Sequence, residues 1–451
     1  MIPRLRKGER GLNAAQIVVL SFVTLITVGT LLLGLPWAHT SGTSSWLDDL
    51  FMATSAICVT GLATVSPGET YTLFGQIILI LLVQIGGLGY MTLLTISMVM
   101  VRQRISLRDR LNFQMATDTP GMGGLGGFLV NIALFTLVIE GVGFLLFSLA
   151  AVPNLGWRQG LYTSAFHVIS AFNNAGFSLF PEGGYYWQAQ PFALWVLILL
   201  VVIGGLGFPV NQELMLRLTK RRRRPQLDVL VFVVLVTTAI LIVVPAVLIF
   251  FFERGNPETL GAMPLHLQLV NALFMAVQPR SSGFNTVPVD AMTDPSILML
   301  MGLMFIGGAP GGTAGGIKLT TAVVLVATVA AAIRGRKDTN LLGMKRRVSD
   351  SVVRKAIAVL VLSISWLFLV TMLLLLVEPF PLDAVLFEAI SAIGTVGLSL
   401  GITSQLSDAG KLIVAAAMLV GRVGVIMVML SLFRTREMTA VRYPEEPMIV
   451  G

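Results

Sequence analysis

The stretch FMATSAICVTGL, from Phe51 to Leu62, contains a pattern that occurs four times in the chain and decides its fold. Segments 166–177 and 387–398 repeat the pattern Phe-x3-Ser-Ala-x4-Gly followed by Leu or Phe, and segment 274–284 is a degenerate copy that is one residue shorter. The glycines of the pattern lie 115, 107 and 114 residues apart, at Gly61, Gly176, Gly283 and Gly397. The chain therefore consists of four repeated units of roughly 110 residues.

Each unit is predicted to contain an apolar span, a short re-entrant segment and a second apolar span. The first spans cover residues 14–35, 127–151, 227–252 and 352–377. The second spans carry a glycine signature, which begins 25, 28, 24 and 24 residues after the pattern glycines, at Gly86, Gly204, Gly307 and Gly421. A segment as short as Phe51–Gly61 cannot cross about 30 Å of hydrocarbon as a helix. Irregular backbone persists at that depth only where it lines a cavity or is buried in protein, which predicts four loops around one axis.

Composition agrees with an all-α polytopic membrane protein. Of the 451 residues, 55% are hydrophobic and 12% are charged, about half the charged share of a soluble protein. The mean hydropathy is +0.85. One cysteine, Cys58, excludes a disulfide framework and a thiolate metal cluster. Three histidines, at positions 39, 167 and 266, leave little for histidine-based metal chemistry.

The charged residues predict the orientation of the chain in the cell membrane. Of the 31 Lys and Arg, 25 fall in the termini and inter-repeat loops and four in the opposite connections. The positive-inside rule therefore places both termini in the cytoplasm and opens the re-entrant loops to the outside. The basic run Lys220–Arg224 is compatible with nucleic acid or anionic lipid, and an anchor at the membrane surface explains it without nucleic acid. The outer side has 12 acidic residues against 9 inside, which weakly concentrates cations there.

These observations divide the chain into four repeats with cytoplasmic connections. The first apolar run is predicted to be a retained span, because it is too long for a typical signal peptide. The predicted boundaries are an N-terminus at 1–13, repeats at 14–101, 127–218, 227–333 and 352–434, loops at 102–126, 219–226 and 334–351, and a tail at 435–451.

The pattern glycines and the residues before them are candidate ligands of a cation. A dehydrated cation needs oxygen ligands, and backbone carbonyls supply them when a loop is held extended. Glycine allows the positive φ that such a loop needs. Isolated glycines more often serve helix packing in membranes, but four at equivalent repeat positions favour a ring. The predicted filter residues are Val59, Thr60, Gly61, Asn174, Ala175, Gly176, Ser281, Ser282, Gly283, Thr395, Val396 and Gly397.

Segment 305–316 is a second candidate functional feature, because it is rich in glycine within an apolar span. Glycine and proline weaken a helix, so a broken helix at membrane depth is predicted there. A phosphate-binding loop would need a surrounding βαβ unit, which the sequence lacks, while a plain kink stays open. The residues proposed to gate the pathway are Gly307, Gly308, Gly311, Gly312, Thr313, Gly315 and Gly316, with Lys318 and Arg422.

Apart from charged residues at the cytoplasmic ends of the first spans, four charged residues are assigned to predicted spans, where charge is costly and commonly functional. Arg422 lies centrally in repeat four, and a structural salt bridge is the alternative to a role in the pathway. Lys318 follows the glycine-rich segment and either anchors it or extends to the membrane surface. Glu140 is predicted to face a polar partner that the sequence does not identify, and Glu213 lies near the cytoplasmic end of its span.

From about Asn13 to Phe433 the chain resembles the Trk/Ktr/HKT superfamily of potassium transporters, and most closely the Ktr-type membrane subunit. The resemblance rests on the four span–loop–span units, the single filter glycines and the glycine-rich third repeat. It implies one filter per subunit, formed by the four loops. It also implies potassium selectivity, because Gly61 stands where some sodium-transporting members have serine. It also implies an intramembrane gating loop, with Arg422 projecting into the pore below the filter. Gln278 and Pro279 depart from the sister loops, so the filter register of repeat three stays open.

The resemblance further implies a homodimer on a cytosolic ring of regulatory subunits. Nucleotide, ATP or ADP, would bind only to that partner, and sodium is expected to stimulate uptake without an assignable site. The loops at 102–110 and 334–355 are candidate docking surfaces, although membrane anchoring explains them equally well. The alternatives are a less selective or sodium-conducting channel and an intramembrane enzyme. An intramembrane enzyme has little support, since no span has an aspartate in its interior and His167 has no evident nucleophile partner.

Overall fold

The structure is a computed structural model that describes residues 14–40, 45–101, 124–181, 183–218, 228–336, 338–340 and 346–432, with the backbone alone at 14, 90–101, 124–129 and 432. Several predictions lie outside these ranges: the N-terminus 1–13, the loop 219–226 with its basic run, the tail 435–451 and the candidate docking segment 102–110. Within the described residues, regular structure is helical, and extended segments pair only in isolated bridges, 39 with 71, 306 with 317 and 340 with 347.

Each of the four repeats contains a long first helix, a short second helix and two further helices. Repeat one contains α1 Ala14–Leu33, α2 Trp46–Cys58, the short α3 Pro67–Thr70 and α4 Leu73–Val101. Repeat two contains α5 Gly124–Leu155, α6 Trp157–Phe172, α7 Pro191–Leu206 and α8 Phe208–Leu218. Repeat three contains α9 Val229–Glu253, α10 Leu265–Val277, α11 Asp294–Phe305 and α12 Leu319–Ile333. Repeat four contains α13 Asp350–Val377, α14 Leu382–Gly394, α15 Asp408–Val423 and α16 Val425–Leu432.

The first helix of each repeat has the length and composition of a membrane span. Among the residues that the structure describes, four stretches qualify, Ala15–Leu33, Val130–Leu155, Val229–Glu253 and Asp350–Val377. Two bent helix pairs would bring the number to six, by length and composition alone. Leu137 is 66% exposed and Phe368 is 68% exposed. Large apolar side chains on the outer face of such helices are expected to contact lipid.

The second helices differ from the sequence prediction, which places an interruption only in repeat three. Helices α7 and α8 bend by 105°, and α15 and α16 bend by 96°. Gly207 and Gly424 lie at these two bends with φ of 83° and 92°. The second helices of repeats two and four are therefore interrupted as well as that of repeat three. A single glycine in an apolar run is tolerated by a helix in negative φ, whereas positive φ ends the helix.

The four short helices α2, α6, α10 and α14, here called the pore helices, pack inside the ring of first helices. Helix α2 begins at a capping box between Ser45 and Asp48, which satisfies two free backbone donors. The signature glycines allow close approach, because a methyl group on Gly86 would overlap the carbonyl oxygen of Ile57 in the last turn of α2. Gly204 and Gly421 face their own pore helices in the same way, at Phe172 and Ile393.

Two large buried clusters surround the pore helices. One joins mainly repeats one and four, and the other joins mainly repeats two and three. The ion pair between Asp48 and Lys411, at 2.8 Å, adds a polar tie between repeats one and four. Burial would raise the pKa of Asp48, but the hydrogen bonds from Lys411 and Ser45 outweigh it and lower the pKa below its ordinary value. The two buried clusters and this ion pair together hold the pore helices in place.

A candidate cation filter and its gate

Each pore helix runs into a loop whose backbone has the same unusual conformation. The residue two before the pattern glycine and the glycine itself both have positive φ, and the residue between them does not. The non-glycine values are 55° at Val59, 61° at Asn174, 72° at Ser281 and 48° at Thr395. The glycine values are 91° at Gly61, 72° at Gly176, 68° at Gly283 and 96° at Gly397. Four loops of different sequence therefore share one backbone course.

The four loops close into a ring through backbone contacts between neighbours. A methyl group on Gly61 would overlap the carbonyl oxygen of Ala175 in the next loop. The same overlap relates Gly176 to Ser282 in loop three. It then relates Gly283 to Val396, and Gly397 back to Thr60. The twelve predicted filter residues thus come together in one ring, in the order of loops one, two, three and four.

The ring stores backbone strain. Positive φ in a β-branched residue is a true outlier, and Val59 and Thr395 both show it. Such strain costs about 1–3 kcal/mol per residue and persists where the surroundings over-determine it, often at functional sites. Here hydrogen bonds hold the loop, because the amide of Thr60 donates to Ser55 O at 2.8 Å. The amide of Val396 donates to Ser391 O at 2.8 Å in the same way.

The serines of the repeat pattern support the filter glycines directly, a role that the sequence analysis did not assign. The Ser55 hydroxyl accepts from the amide of Gly61 at 3.0 Å. The Ser391 hydroxyl accepts from the amide of Gly397 at 3.1 Å. In repeat two, Ser170 instead donates to the carbonyl of Phe177 at 2.9 Å. The recurrence of serine at one repeat position was the signal available in the sequence.

The shorter loop three reaches the same register by another route. The carbonyl of Gln278 accepts from the amide of Ser282 at 3.0 Å and from that of Gly283 at 3.4 Å. The Ser281 hydroxyl also donates to the carbonyl of Gly394, at 3.0 Å, and so ties loop three to repeat four. The register that the sequence leaves open is therefore Ser281–Gly283, with the same φ pattern as in the sister loops.

The surroundings of the ring favour a cation although the ring residues carry no charged side chain. Each pore helix ends at the ring, and a helix C-terminus has a partial negative charge of about half an elementary charge. Carbonyl dipoles in the ring add to this potential. A cavity of about 340 Å³ opens on one side, lined by all four glycines together with residues such as Thr64, Ser66 and Ser399. Its described lining has no Asp or Glu, so backbone and hydroxyl oxygens face an arriving ion.

On the other side of the ring lies segment 306–318, which links α11 and α12 and contains all of the predicted gating loop 305–316 except Phe305, the last residue of α11. Its ends are joined, because the amide of Gly307 donates to the carbonyl of Ile317 at 2.9 Å. The segment also binds the bend of repeat two, where the amide of Ala309 donates to the carbonyl of Gly205 at 3.1 Å. A methyl group on Gly315 would overlap the hydroxyl of Thr395 in the ring. The predicted interruption therefore lies directly against the filter residues.

Two cations contact the backbone of this segment. Arg422 is 4% exposed and donates to the carbonyl of Thr313 and, at 2.8 Å, to the carbonyl of Gly86. Lys318 donates to the carbonyl of Ala314 at 2.6 Å. The predicted gating residues are thus brought together, and Arg422 links repeats one, three and four.

The two carboxylates of the spans have identified partners. The Glu140 carboxylate accepts from Gln84 at 3.3 Å and from Asn173 at 3.2 Å. Asn173 directly precedes loop two, so this buried cluster supports the filter from the side of repeats one and two. Glu213 pairs with Arg217 on α8 at 2.9 Å.

His167 does have a hydroxyl partner, contrary to the sequence analysis. Its Nε2 lies 3.1 Å from the Ser178 hydroxyl, and its Nδ1 lies 2.9 Å from the carbonyl of Thr163. A carbonyl only accepts, so the neutral ring carries its proton on Nδ1 and Nε2 can only accept. The single Ser178 hydroxyl proton lies between Nε2 and the carbonyl of Gly183, which is 3.0 Å from the hydroxyl oxygen. The Ser178 oxygen also accepts from the amide of Phe180 at 3.1 Å. The serine is thus held within the loop that leaves the filter.

Comparison with known proteins agrees with this architecture. The family described as TrkH, cation transport protein, matches residues 7–439. The chain is 38% identical to Ktr system potassium uptake protein B of Bacillus subtilis, over 97% of this chain and 96% of that protein. It is 33% identical to potassium/sodium uptake protein NtpJ of Enterococcus hirae, over 99% of both chains.

A solved structure shares the fold. The crystal structure of the potassium transporter TrkH from Vibrio parahaemolyticus matches with a TM-score of 0.75 at 16% identity, covering 96% of this chain and 87% of that chain. The predicted all-α polytopic membrane fold is confirmed.

Proposed function

This chain belongs to the TrkH family of cation transport proteins, and from that premise we propose that it takes up potassium through the ring of the twelve filter residues. The observation that carries the proposal is the closed ring of four loops with one shared φ pattern. A fourfold ring of backbone carbonyls can replace the hydration shell of a cation. The strained backbone supports the same assignment, because such strain needs a compensating role.

Potassium is favoured over sodium by the loops and by the relatives. All four loops keep glycine at the pattern position, including Gly61, where the family resemblance associates serine with sodium transport. A relative at 38% identity is named a potassium uptake protein. The second candidate function is uptake of both ions, which the name of the potassium/sodium uptake relative favours. Sodium stimulation of potassium uptake is a third possibility for which no residue is assigned.

The segment 306–318 is the proposed gate. It lies against the ring at Thr395, and its carbonyls are bound by Arg422 and Lys318. A glycine-rich segment can adopt a second backbone course at low cost, and release of these hydrogen bonds would let it move. The fixed charge of Arg422 also raises the barrier to a cation below the filter.

The proposed assembly is a homodimer in the cell membrane, with both termini in the cytoplasm and a cytosolic ring of regulatory subunits. ATP or ADP would act through that ring, because this chain lacks a recognisable nucleotide motif. The proposal rests on the family resemblance and on the positive-inside rule.

The test is cation flux into liposomes that contain the purified protein, comparing potassium with sodium for wild type and Gly61→Ser. Gly302→Ser is the matched control, since a methyl group there meets nothing within 4 Å. We expect wild type and control to prefer potassium and Gly61→Ser to lose the preference. Equal passage of both ions by wild type, Gly61→Ser and the control would overturn the filter assignment. If none shows flux, the assay is repeated with the regulatory subunit present.

A further inference from the structure

One position of the pore helices has an apolar residue in repeats one and three and a polar residue in repeats two and four. It lies nine residues before the pattern glycine in repeats one, two and four, and eight before it in the shorter repeat three. The residues there are Met52, His167, Met275 and Glu388. All four are buried, with at most 1% of their surface exposed. Two are apolar and two are polar, although all four occupy the same place behind the ring.

The Glu388 carboxylate holds the chain that leaves loop four. One oxygen accepts from the hydroxyl of Ser399 at 2.7 Å, and the other accepts from the hydroxyl of Thr403 at 2.5 Å. Ser399 is two residues beyond the filter glycine, and Thr403 begins a short 3₁₀ turn that lines the cavity. A single buried side chain thus joins the pore helix to both ends of this outer segment.

His167 makes the equivalent contact in repeat two. Its partner Ser178 is two residues beyond Gly176, as Ser399 is beyond Gly397. The repeat relationship also explains the His–Ser contact without hydrolase chemistry, because a carboxylate occupies the same place in repeat four. The ring closes in the order one, two, three, four, so loops two and four lie opposite each other.

Loops one and three lack this support. Ala63 stands two residues beyond Gly61 and has no side-chain donor. Asn285 stands two residues beyond Gly283 and donates to the hydroxyl of Tyr185 at 3.3 Å. Behind them, Met52 and Met275 contribute packing alone. At this position the outer ends of the loops are therefore held by side-chain hydrogen bonds along one diagonal and by apolar contact along the other.

We propose that Glu388 and His167 are positioning residues of the filter, which hold the outer ends of loops four and two so that the ring keeps its potassium-selective geometry. The inference rests on the proposed function and adds residues to it. Each side chain acts through a serine of the loop and touches no ion. Glu388 accepts two hydrogen bonds from the outer segment whereas His167 has one contact with its loop serine, so Glu388 has the larger expected effect.

The experiment measures the potassium-to-sodium flux ratio of the full chain in liposomes for Glu388→Gln, Ser399→Ala and the double variant. Glutamine places an amide NH₂ where one hydroxyl must donate, and alanine removes the hydroxyl on the loop side. We expect each single variant to lower the ratio about fivefold or more. The flux ratio of the double variant should be no lower than that of the more affected single variant, because both changes break the same interaction. Met275→Leu, an apolar exchange at the same repeat position, should keep the wild-type ratio.

A purely structural role of Glu388 would lower the yield of folded protein and leave the ratio unchanged. That outcome, in variants that elute as wild type and still conduct, overturns the inference. Ser399→Ala keeps the test decisive if Glu388→Gln fails to fold, since it removes one hydroxyl from a loop. A wild-type protein without potassium preference would instead overturn the proposed function, and this inference with it.

Discussion

In the ring, the loops of all four repeats place two residues at positive φ at equivalent positions, whereas the second helices behind them follow three different courses. Helix α4 runs from Leu73 to Val101 without a break. The helices of repeats two and four bend by 105° and 96°. In repeat three the segment 306–318 separates α11 from α12. The loops of the ring keep the repeat symmetry, and the second helices do not.

The difference separates two physical tasks. In the proposed filter a cation on the axis would be bound by all four loops together, so the loops must agree in backbone course even where their sequences differ. A gate needs only one segment that can move, and a segment from a single repeat suffices. The signature glycines show this divergence, because Gly86, Gly204 and Gly421 contact their own pore helices whereas Gly307 contacts Gly315 within the gating segment.

The largest expected effect tests whether loop three is equal to its sisters despite being shorter. Gly283→Ala and Gly397→Ala each place a methyl group against a carbonyl oxygen of a neighbouring loop at positive φ. We expect both to abolish potassium preference to a similar extent, measured as the potassium-to-sodium flux ratio, at a cost of about 1–3 kcal/mol in strain. Gly302→Ala is the control. Tolerance of Gly283→Ala alone would show that loop three does not take part in selection.

The second prediction separates the gate from the filter. Arg422→Met removes the hydrogen bonds to the carbonyls of Thr313 and Gly86, each of which contributes about 1.5–3 kcal/mol when the donor is charged. We expect basal potassium flux to rise about tenfold with an unchanged potassium-to-sodium ratio. A lower ratio would mean that Arg422 shapes the filter itself, and an unchanged flux would mean that it does not restrain the gate.

The third prediction compares the two bends. Gly207 and Gly424 both have positive φ, but a methyl group on Gly207 would lie 2.8 Å from the carbonyl oxygen of Pro310 in the gating segment, and one on Gly424 meets nothing within 4 Å. Alanine at either position costs about 1–3 kcal/mol in backbone strain. We expect Gly207→Ala to change potassium flux several-fold and Gly424→Ala to lower only the thermal stability. Equal effects of the two substitutions on potassium flux would show that the contact of Gly207 with the gating segment does not control flux.

The smallest effect is expected at the serines that support the glycines. Ser391→Ala leaves the amide of Gly397 without its side-chain acceptor, a loss of about 1 kcal/mol. We expect a two- to threefold lower potassium-to-sodium flux ratio. Thr24→Ala, at an exposed hydroxyl on α1, should leave the ratio unchanged. A ratio that stays at the wild-type value in Ser391→Ala would place the support of the glycine elsewhere.

The filter segments were predictable because each is a local pattern repeated four times. The partners of Glu140 were not, since Gln84 lies 56 residues away in another repeat and nothing local links them. The bends at Gly207 and Gly424 were missed because hydropathy does not distinguish a helical glycine from one with positive φ. The contact of His167 with Ser178 was within reach, because aligning repeat two with repeat four places it over Glu388 and Ser399.

The filter assignment is tested by anomalous diffraction from crystals of the full chain grown with rubidium or thallium in place of potassium. We expect a peak on the axis of the ring, at similar distances from the carbonyl oxygens of Thr60, Ala175, Ser282 and Val396, which sodium does not displace at equal concentration. Anomalous peaks confined to other sites, with none in the ring, would contradict it.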